Sequence, residues 1–255
     1  MIPKTIHYCW FGRNPKPKLA EKCIKSWKKY CPDYEIIEWN EDNFDLSSAP
    51  LYVRQAYEAK KWAFVTDYVR LWAMVTYGGI YMDTDVEVIK PLDKFLIHRA
   101  FSGFENDTQI PTGIMACEKG FPLFQEFLRY YDDARFMDEN GNTSTVTNVL
   151  IMTDICLKKG LQQNNTLQTV EGFTLYPRDV FCPFDYHTNR VKRTRRTAVI
   201  HWFAGSWVSE EQKKKHKRAV RNNRRDLWVH LPNRIMIKIL GTERYEKLKK
   251  KIKGD

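Results

Sequence analysis

Between Ala63 and Pro91 the chain reads AFVTDYVRLWAMVTYGGIYMDTDVEVIKP, and this stretch limits the rest more than any other. Phe64, Tyr68, Leu71, Trp72 and Val75 recur at three and four residues, the spacing of an amphipathic helix. On that helix Asp67 and Arg70 stand at i and i+3 and so share a side. As surface groups they would form an exposed pair with little influence on stability. Gly78 and Gly79 end the helix, and Ile80-Tyr81-Met82 reads as a short buried strand running into Asp83-Thr84-Asp85. Residues i and i+2 of an extended chain point the same way, so the two carboxylates repel each other. A hard divalent cation, Mg²⁺ or Mn²⁺, resolves that repulsion, and carboxylates and phosphates both accept one. A solvated acidic turn is the plain alternative for an isolated Asp-x-Asp.

The surroundings decide between them. Asp67-x-x-Arg70 followed by Gly78-Gly79-Ile80-Tyr81-x-Asp83-x-Asp85 resembles the sugar-binding DxD family of glycosyltransferases. Its members include fungal mannosyltransferases, bacterial polysaccharide enzymes and the catalytic domain of large glucosylating toxins. Ile6-His7-Tyr8-Cys9-Trp10-Phe11-Gly12 near the start adds to the likeness. The resemblance implies a GT-A type α/β domain, a Rossmann-like mixed sheet flanked by helices. It also implies Mn²⁺ or Mg²⁺ as cofactor and hexose transfer from a nucleotide diphosphate sugar, UDP-linked in preference, to a glycan hydroxyl.

Site residues follow from the same likeness. Asp85 would bind the metal, and Asp83 would contact ribose or sugar hydroxyls and reach the metal through water. Asp67 and Arg70 would hold the sugar, and Tyr81 would pack beside the acidic pair. His201, at the end of a strand and followed by Gly205-Ser206-Trp207, resembles the family's closing loop over the donor diphosphate. It is a second candidate metal ligand, with a hydrogen-bonded core histidine as the alternative. Ser206 and Trp207 would close over the β-phosphate, the indole N–H donating to the leaving oxygen. Trp10, at the exit of the first strand, is either a platform for the base or a core tryptophan. Residues 143–148 read TSTVTN where many relatives carry Thr-Gly-Pro, which leaves donor-sugar and acceptor contacts there unassigned.

Along the chain, strands are expected at Lys4 to Trp10, Tyr34 to Trp39, Val86 to Ile89, Ala100 to Phe104, Gly113 to Cys117, Thr174 to Pro177 and Ala198 to Trp202. Helices are expected at Leu19 to Tyr30, at Ala49 to Tyr77 with a break near Lys60-Lys61, at Phe121 to Tyr131 and at Thr145 to Lys159. No glycine-rich phosphate loop follows the first strand. The six cysteines show no metal spacing and are expected to be reduced and partly buried.

Charge divides the chain. From Arg190 onward there are 21 Lys or Arg against 6 Asp or Glu, whereas the first 189 residues hold 21 bases against 25 acids. The sequence therefore reads as a catalytic domain, 1–208, and a basic amphipathic helical tail, 209–255. The apolar run Ile235 to Leu240 and the Tyr245, Leu248, Ile252 stripe give that tail a greasy face. An anionic membrane surface is the expected partner there, presenting a lipid-linked glycan acceptor. Nucleic acid is not expected, because the basic residues lack interleaved aromatics. With no apolar run long enough to span a bilayer and no leader segment in MIPKTIHYCWFG, the expected location is cytoplasmic, on the inner membrane face. A catalytically inactive nucleotide-sugar or carbohydrate-binding protein would fit the same fold, and a nucleic-acid-binding protein would fit the tail.

Overall fold

The computed structural model describes residues 1–186, 188–205 and 210–229. Two compact units divide the chain: Met1–Phe184 with Val191–Trp207, and Asp185–Arg190 with Val208–Asp255.

The first unit opens β1 (Thr5–Cys9), α1 (Lys18–Tyr30), β2 (Glu35–Trp39), α2 (Leu51–Glu58), α3 (Trp62–Tyr77) and β3 (Gly79–Met82). It continues β4 (Val86–Val88), β5 (Ala100–Gly103), β6 (Ile114–Cys117), α4 (Pro122–Arg129), α5 (Asn148–Lys158), β7 (Gln168–Val170), β8 (Phe173–Tyr176) and α6 (Arg178–Phe181). Two-residue strands β9 (Phe184–Asp185) and β10 (Arg190–Val191) lead to β11 (Val199–His201). The main sheet has seven strands in the order β2-β1-β3-β6-β5-β8-β7. β2, β1 and β3 run parallel, as strand–helix–strand units dictate, and β6 turns antiparallel between β3 and β5. β4 and β11 form a separate antiparallel pair in which His201 stands opposite Val86. This is the mixed α/β class that the sequence implied.

Each face of the sheet buries one apolar cluster. Helix α3 and the elements around it cover one with Val69, Leu71, Met74, Phe124 and Phe127. Trp27, Val86, Phe101, Phe181 and Val199 build the other. Alternation along each strand sends successive side chains to opposite clusters: Tyr81 and Phe104 to the first, Ile80, Met82 and Phe101 to the second. On α1, Cys23 and Trp27 are buried as expected, and the Trp27 indole N–H donates to the Val86 carbonyl at 2.7 Å. α3 is buried over more of its circumference than the five-residue stripe suggested, since Val65, Val69, Ala73 and Met74 are covered too. The expected break near Lys60-Lys61 separates α2 from α3, and all six cysteines are buried and free. α5 begins at Asn148 rather than Thr145, because Thr147 is still extended, with φ −105° and ψ 159°.

The α3–β3 turn accepts only glycine. Gly78 and Gly79 have φ of 71° and 104°, and a Cβ would lie 2.6 Å from the Lys119 nitrogen at the first and 2.7 Å from the Thr5 oxygen at the second. That turn delivers Asp83 and Asp85 to the carboxyl end of the parallel strands, where open α/β sheets take their ligands.

In the second unit α7 spans Glu210–Val229, with an i,i+4 pair between Glu211 and Lys215 at 3.1 Å and Val220 buried. The apolar run and the stripe expected to meet a membrane lie outside the described residues. Among the described residues no helix is long and apolar enough to cross a membrane.

Candidate active site

Three potential ligands converge past the end of β3. One carboxylate oxygen each from Asp83 and Asp85 and one ring nitrogen of His201 all lie within 4.8 Å of one another. Their positions are fixed from three directions. The Asp83 N–H donates to the Gly113 carbonyl at 2.8 Å, which prolongs the β3–β6 ladder by one residue. Asp85 accepts the Ala204 N–H at Oδ2 at 2.7 Å, and its own carbonyl accepts the Trp202 N–H at 3.0 Å. The Trp202 indole N–H is held by Glu87 at 2.9 Å, and Lys22 pairs with Glu87 at 2.8 Å. The strand carrying His201 is thereby pinned to the strand that follows the acidic pair.

His201 is buried, with Nε2 3.3 Å from Asp85 Oδ1 and the ring stacked on Phe203 at 4.0 Å between centroids. Gly113 lies against its other edge, so close that a Cβ there would meet the ring at 2.6 Å. Burial disfavours the charged imidazole, but the Asp85 carboxylate outweighs it and holds the His201 pKa well above the ordinary value. Nδ1 has no hydrogen-bond partner among the described residues. Two carboxylates and one imidazole suit a divalent ion, Mn²⁺ better than Mg²⁺ because of the nitrogen. A metal binds the neutral ring, so it would replace the proton that Asp85 otherwise stabilises on His201.

Behind Asp83 stands a second layer. The Arg70 guanidinium lies 3.3 Å from Asp83 Oδ1 and 3.2 Å from Asp67 Oδ1, donates to the Thr112 carbonyl at 2.9 Å, and covers the Tyr81 ring at 4.8 Å. The Tyr81 hydroxyl donates to Asp83 Oδ1 at 2.8 Å. The expectation of an exposed Asp67–Arg70 pair is corrected here: Asp67 is 7 % and Arg70 5 % exposed. Residues i and i+3 do share a side of the helix, but that side faces β3 and Asn148, not solvent. Burial raises the Asp67 pKa to about 6 despite the neighbouring guanidinium, while Asp83 adds repulsion. Tyr81, 1 % exposed, meets the site through its hydroxyl on Asp83 and its ring under Arg70.

Trp10 leaves β1 at the same end of the sheet. The register that pairs His7 with Tyr81 brings Cys9 abreast of Asp83 and Trp10 one step beyond. The indole is half-buried, donates to the Asn14 carbonyl at 2.6 Å, and has the Lys16 ammonium 5.7 Å from its ring. Ser206 and Trp207 lie outside the described residues.

Sequence reasoning overlooked Asn148, whose side-chain N–H₂ donates to the Asp67 carbonyl at 2.6 Å while its oxygen takes the Tyr131 hydroxyl. The signal was present, since Asn148 closes the unassigned TSTVTN segment. Thr112 escaped notice because it contributes a carbonyl, which any residue carries.

Residues 17–102, about a third of the chain, match the family model described as glycosyltransferase sugar-binding region containing DXD motif. Over those residues the chain is similar to the sugar-binding DXD region of glycosyltransferases. That DXD region holds Asp67, Arg70, Asp83 and Asp85, whereas His201 lies beyond it. Inositol phosphoceramide mannosyltransferase 3 of Schizosaccharomyces pombe is 30 % identical over 132 residues, covering 50 % of this chain and 36 % of that protein. Subversion of eukaryotic traffic protein A of Legionella pneumophila is 24 % identical over 159 residues, covering 49 % and 24 %. The chain thus spans little more than a third, or less, of these relatives' length. Among solved structures, PaToxG glycosyltransferase aligns with a TM-score of 0.49 at 19 % identity, over 62 % of this chain and 70 % of that one. The galactosyltransferase LgtC aligns with a TM-score of 0.42 at 14 % identity, over 85 % and 94 %.

Proposed function

We propose that the chain is a metal-dependent, retaining GT-A glycosyltransferase. It moves a hexose from a nucleotide diphosphate sugar, UDP-linked in preference, to a glycan hydroxyl in surface polysaccharide synthesis. The observation that carries this reading is the Asp83, Asp85 and His201 group at the end of β3, next to a buried Asp67–Arg70 pair in the matched DXD region.

Asp85 and His201 would hold the cation, with Asp83 beside them. A divalent ion there would supply positive charge against that developing on the departing diphosphate. Arg70 and Asp67 shape the sugar side of the pocket, Tyr81 orients Asp83, and Trp10 offers its indole face to the base. Ser206 and Trp207, by the family likeness alone, would serve the β-phosphate. No protein carboxylate need attack. In same-face transfer the bond from the anomeric carbon to the phosphate oxygen breaks as the acceptor oxygen bonds to that carbon. The acceptor proton passes to the departing phosphate.

The names of two relatives as inositol phosphoceramide mannosyltransferases favour a hexose and an acceptor carried on lipid. The basic tail would bring the enzyme to an anionic membrane where such an acceptor is presented. The test is a screen of UDP- and GDP-linked hexoses, GDP-mannose included, for nucleotide release with Mn²⁺, with Mg²⁺ and with EDTA. Metal-dependent release from one donor is expected. Tight binding of a nucleotide sugar without turnover, whatever acceptor is offered, would instead make the chain a binding protein.

A further inference from the structure

Glu105 has no part in the mechanism above, yet the sheet brings it to the same edge. β5 pairs with β6, and β6 with β3, so the exits of β3 and β5 flank the start of β6 on the same edge of the sheet. Phe104 keeps β5 in register with β8 through its N–H to the Tyr176 carbonyl at 2.8 Å. Glu105 then opens a tight turn, its N–H donating to the Gln109 carbonyl at 2.8 Å while the Asn106 side chain accepts the Thr108 and Gln109 N–H groups. The backbone under Glu105 is therefore fixed.

Glu105 stands two residues past the end of β5, on the edge where Asp83 follows β3 and Gly113 precedes β6. Burial raises the Glu105 pKa; the charges of His201 and Arg178 lower it and that of Asp83 raises it further, so all three groups are within electrostatic reach. The side chain is half-buried, and no N–H or O–H among the described residues donates to its carboxylate.

A half-buried carboxylate set near another, with no donor satisfying it, costs stability unless something else supplies hydrogen bonds. The three-ligand group leaves Glu105 out, which leaves the glycosyl end of the donor, beyond the cation-held diphosphate, as the part for it to serve. We propose that Glu105 accepts hydrogen bonds from hydroxyls of the glycosyl group of the nucleotide sugar. This rests on the glycosyltransferase reading, and the experiment separates the two.

The full chain, wild type and with Glu105→Gln or Glu105→Ala, is titrated calorimetrically in Mn²⁺ with UDP, UDP-glucose, GDP and GDP-mannose, and hydrolysis of the preferred donor is followed. For both variants the nucleoside diphosphate Kd is expected to stay within twofold of wild type. The nucleotide-sugar Kd should weaken tenfold or more, and hydrolytic kcat/KM should fall at least as far. Melting temperature should hold or rise in Glu105→Gln, which keeps the shape and removes a charge near Asp83. Unchanged nucleotide-sugar affinity overturns the proposal. So does a parallel loss of nucleoside diphosphate affinity, which would place Glu105 in the service of the cation, and so does unfolding of Glu105→Gln. If the wild type binds none of the four ligands, the glycosyltransferase reading fails first and this inference with it.

Discussion

His7 Nε2 lies 2.9 Å from the carbonyl oxygen of Gly78, tying the first strand to the turn that launches the acidic pair. The Trp39 indole, 3.1 Å from Nδ1, can only donate, so Nδ1 is the acceptor and Nε2 carries the proton. A second proton on this ring would confront the indole N–H. Burial accordingly lowers the His7 pKa to about 4, the Gly78 bond offsetting only part of the effect.

The sign of the linkage follows. Between pH 6.5 and about 4 the unfolded chain binds a proton that the folded chain refuses, so stability falls as pH is lowered through that window. The loss is bounded at roughly 3 kcal/mol, since one pKa unit is worth about 1.4 kcal/mol. Urea denaturation at pH 7 and pH 4.5 should show a larger acid loss for wild type than for His7→Gln, by about 2 kcal/mol. Equal losses would mean that His7 is already charged when folded.

Arg70 is expected to support the fold as well as the site. Its removal strands Asp67 and Asp83 and frees the Thr112 carbonyl, and breaking a buried pair costs about 3–5 kcal/mol. Arg70→Ala should therefore shift the urea midpoint strongly, and Arg70→Lys should recover only part, because one ammonium cannot reach all these partners. An unchanged midpoint in Arg70→Ala would show the pair to be solvated.

How much of this could be read from the chain depends on how far apart the partners lie. The helix, the glycine turn, the buried strand and the acidic pair are contiguous, and local periodicity exposes them. The burial of Asp67 and Arg70 was misjudged because it depends on Asn148 and on the Thr112 carbonyl, brought in by distant segments. His201 stood out by its place at a strand end, but the pairing of β11 with β4 that sets it against Asp85 has no local signature. Glu105 was passed over for a similar reason, since its place beside the acidic pair follows from the order of β3, β6 and β5.

Asp85→Asn should lower metal-dependent nucleotide-sugar cleavage by roughly a hundredfold or more, about 3 kcal/mol, because a preorganised charge stabiliser is lost. The Ala204 N–H can still donate to the amide oxygen, so melting temperature should move by only a few degrees. Rate and melting curve measured on the same preparation check both halves. Activity equal to wild type removes Asp85 from the centre.

Gly113→Ala tests the geometry without touching a charge. The new methyl would lie 2.6 Å from His201 Cε1, and Phe203 stacked at 4.0 Å resists the ring's retreat. Overpacking of this kind costs about 1–3 kcal/mol. Affinity for Mn²⁺ with a nucleoside diphosphate, measured by titration, should weaken at least tenfold. Unaltered affinity would mean that His201 is not a ligand.

Pairing β4 with β11 has a consequence for biosynthesis. Asp83 and Asp85 leave the ribosome long before His201, which follows Asp85 by 116 residues. At about 5–20 residues per second that interval is roughly 6–23 s. Through it the nascent chain holds two like charges with no imidazole to face them and no strand to pair with β4. Assembly of the three-ligand group therefore waits for β11, and a ribosome stalled before residue 199 would display the matched DXD region without it.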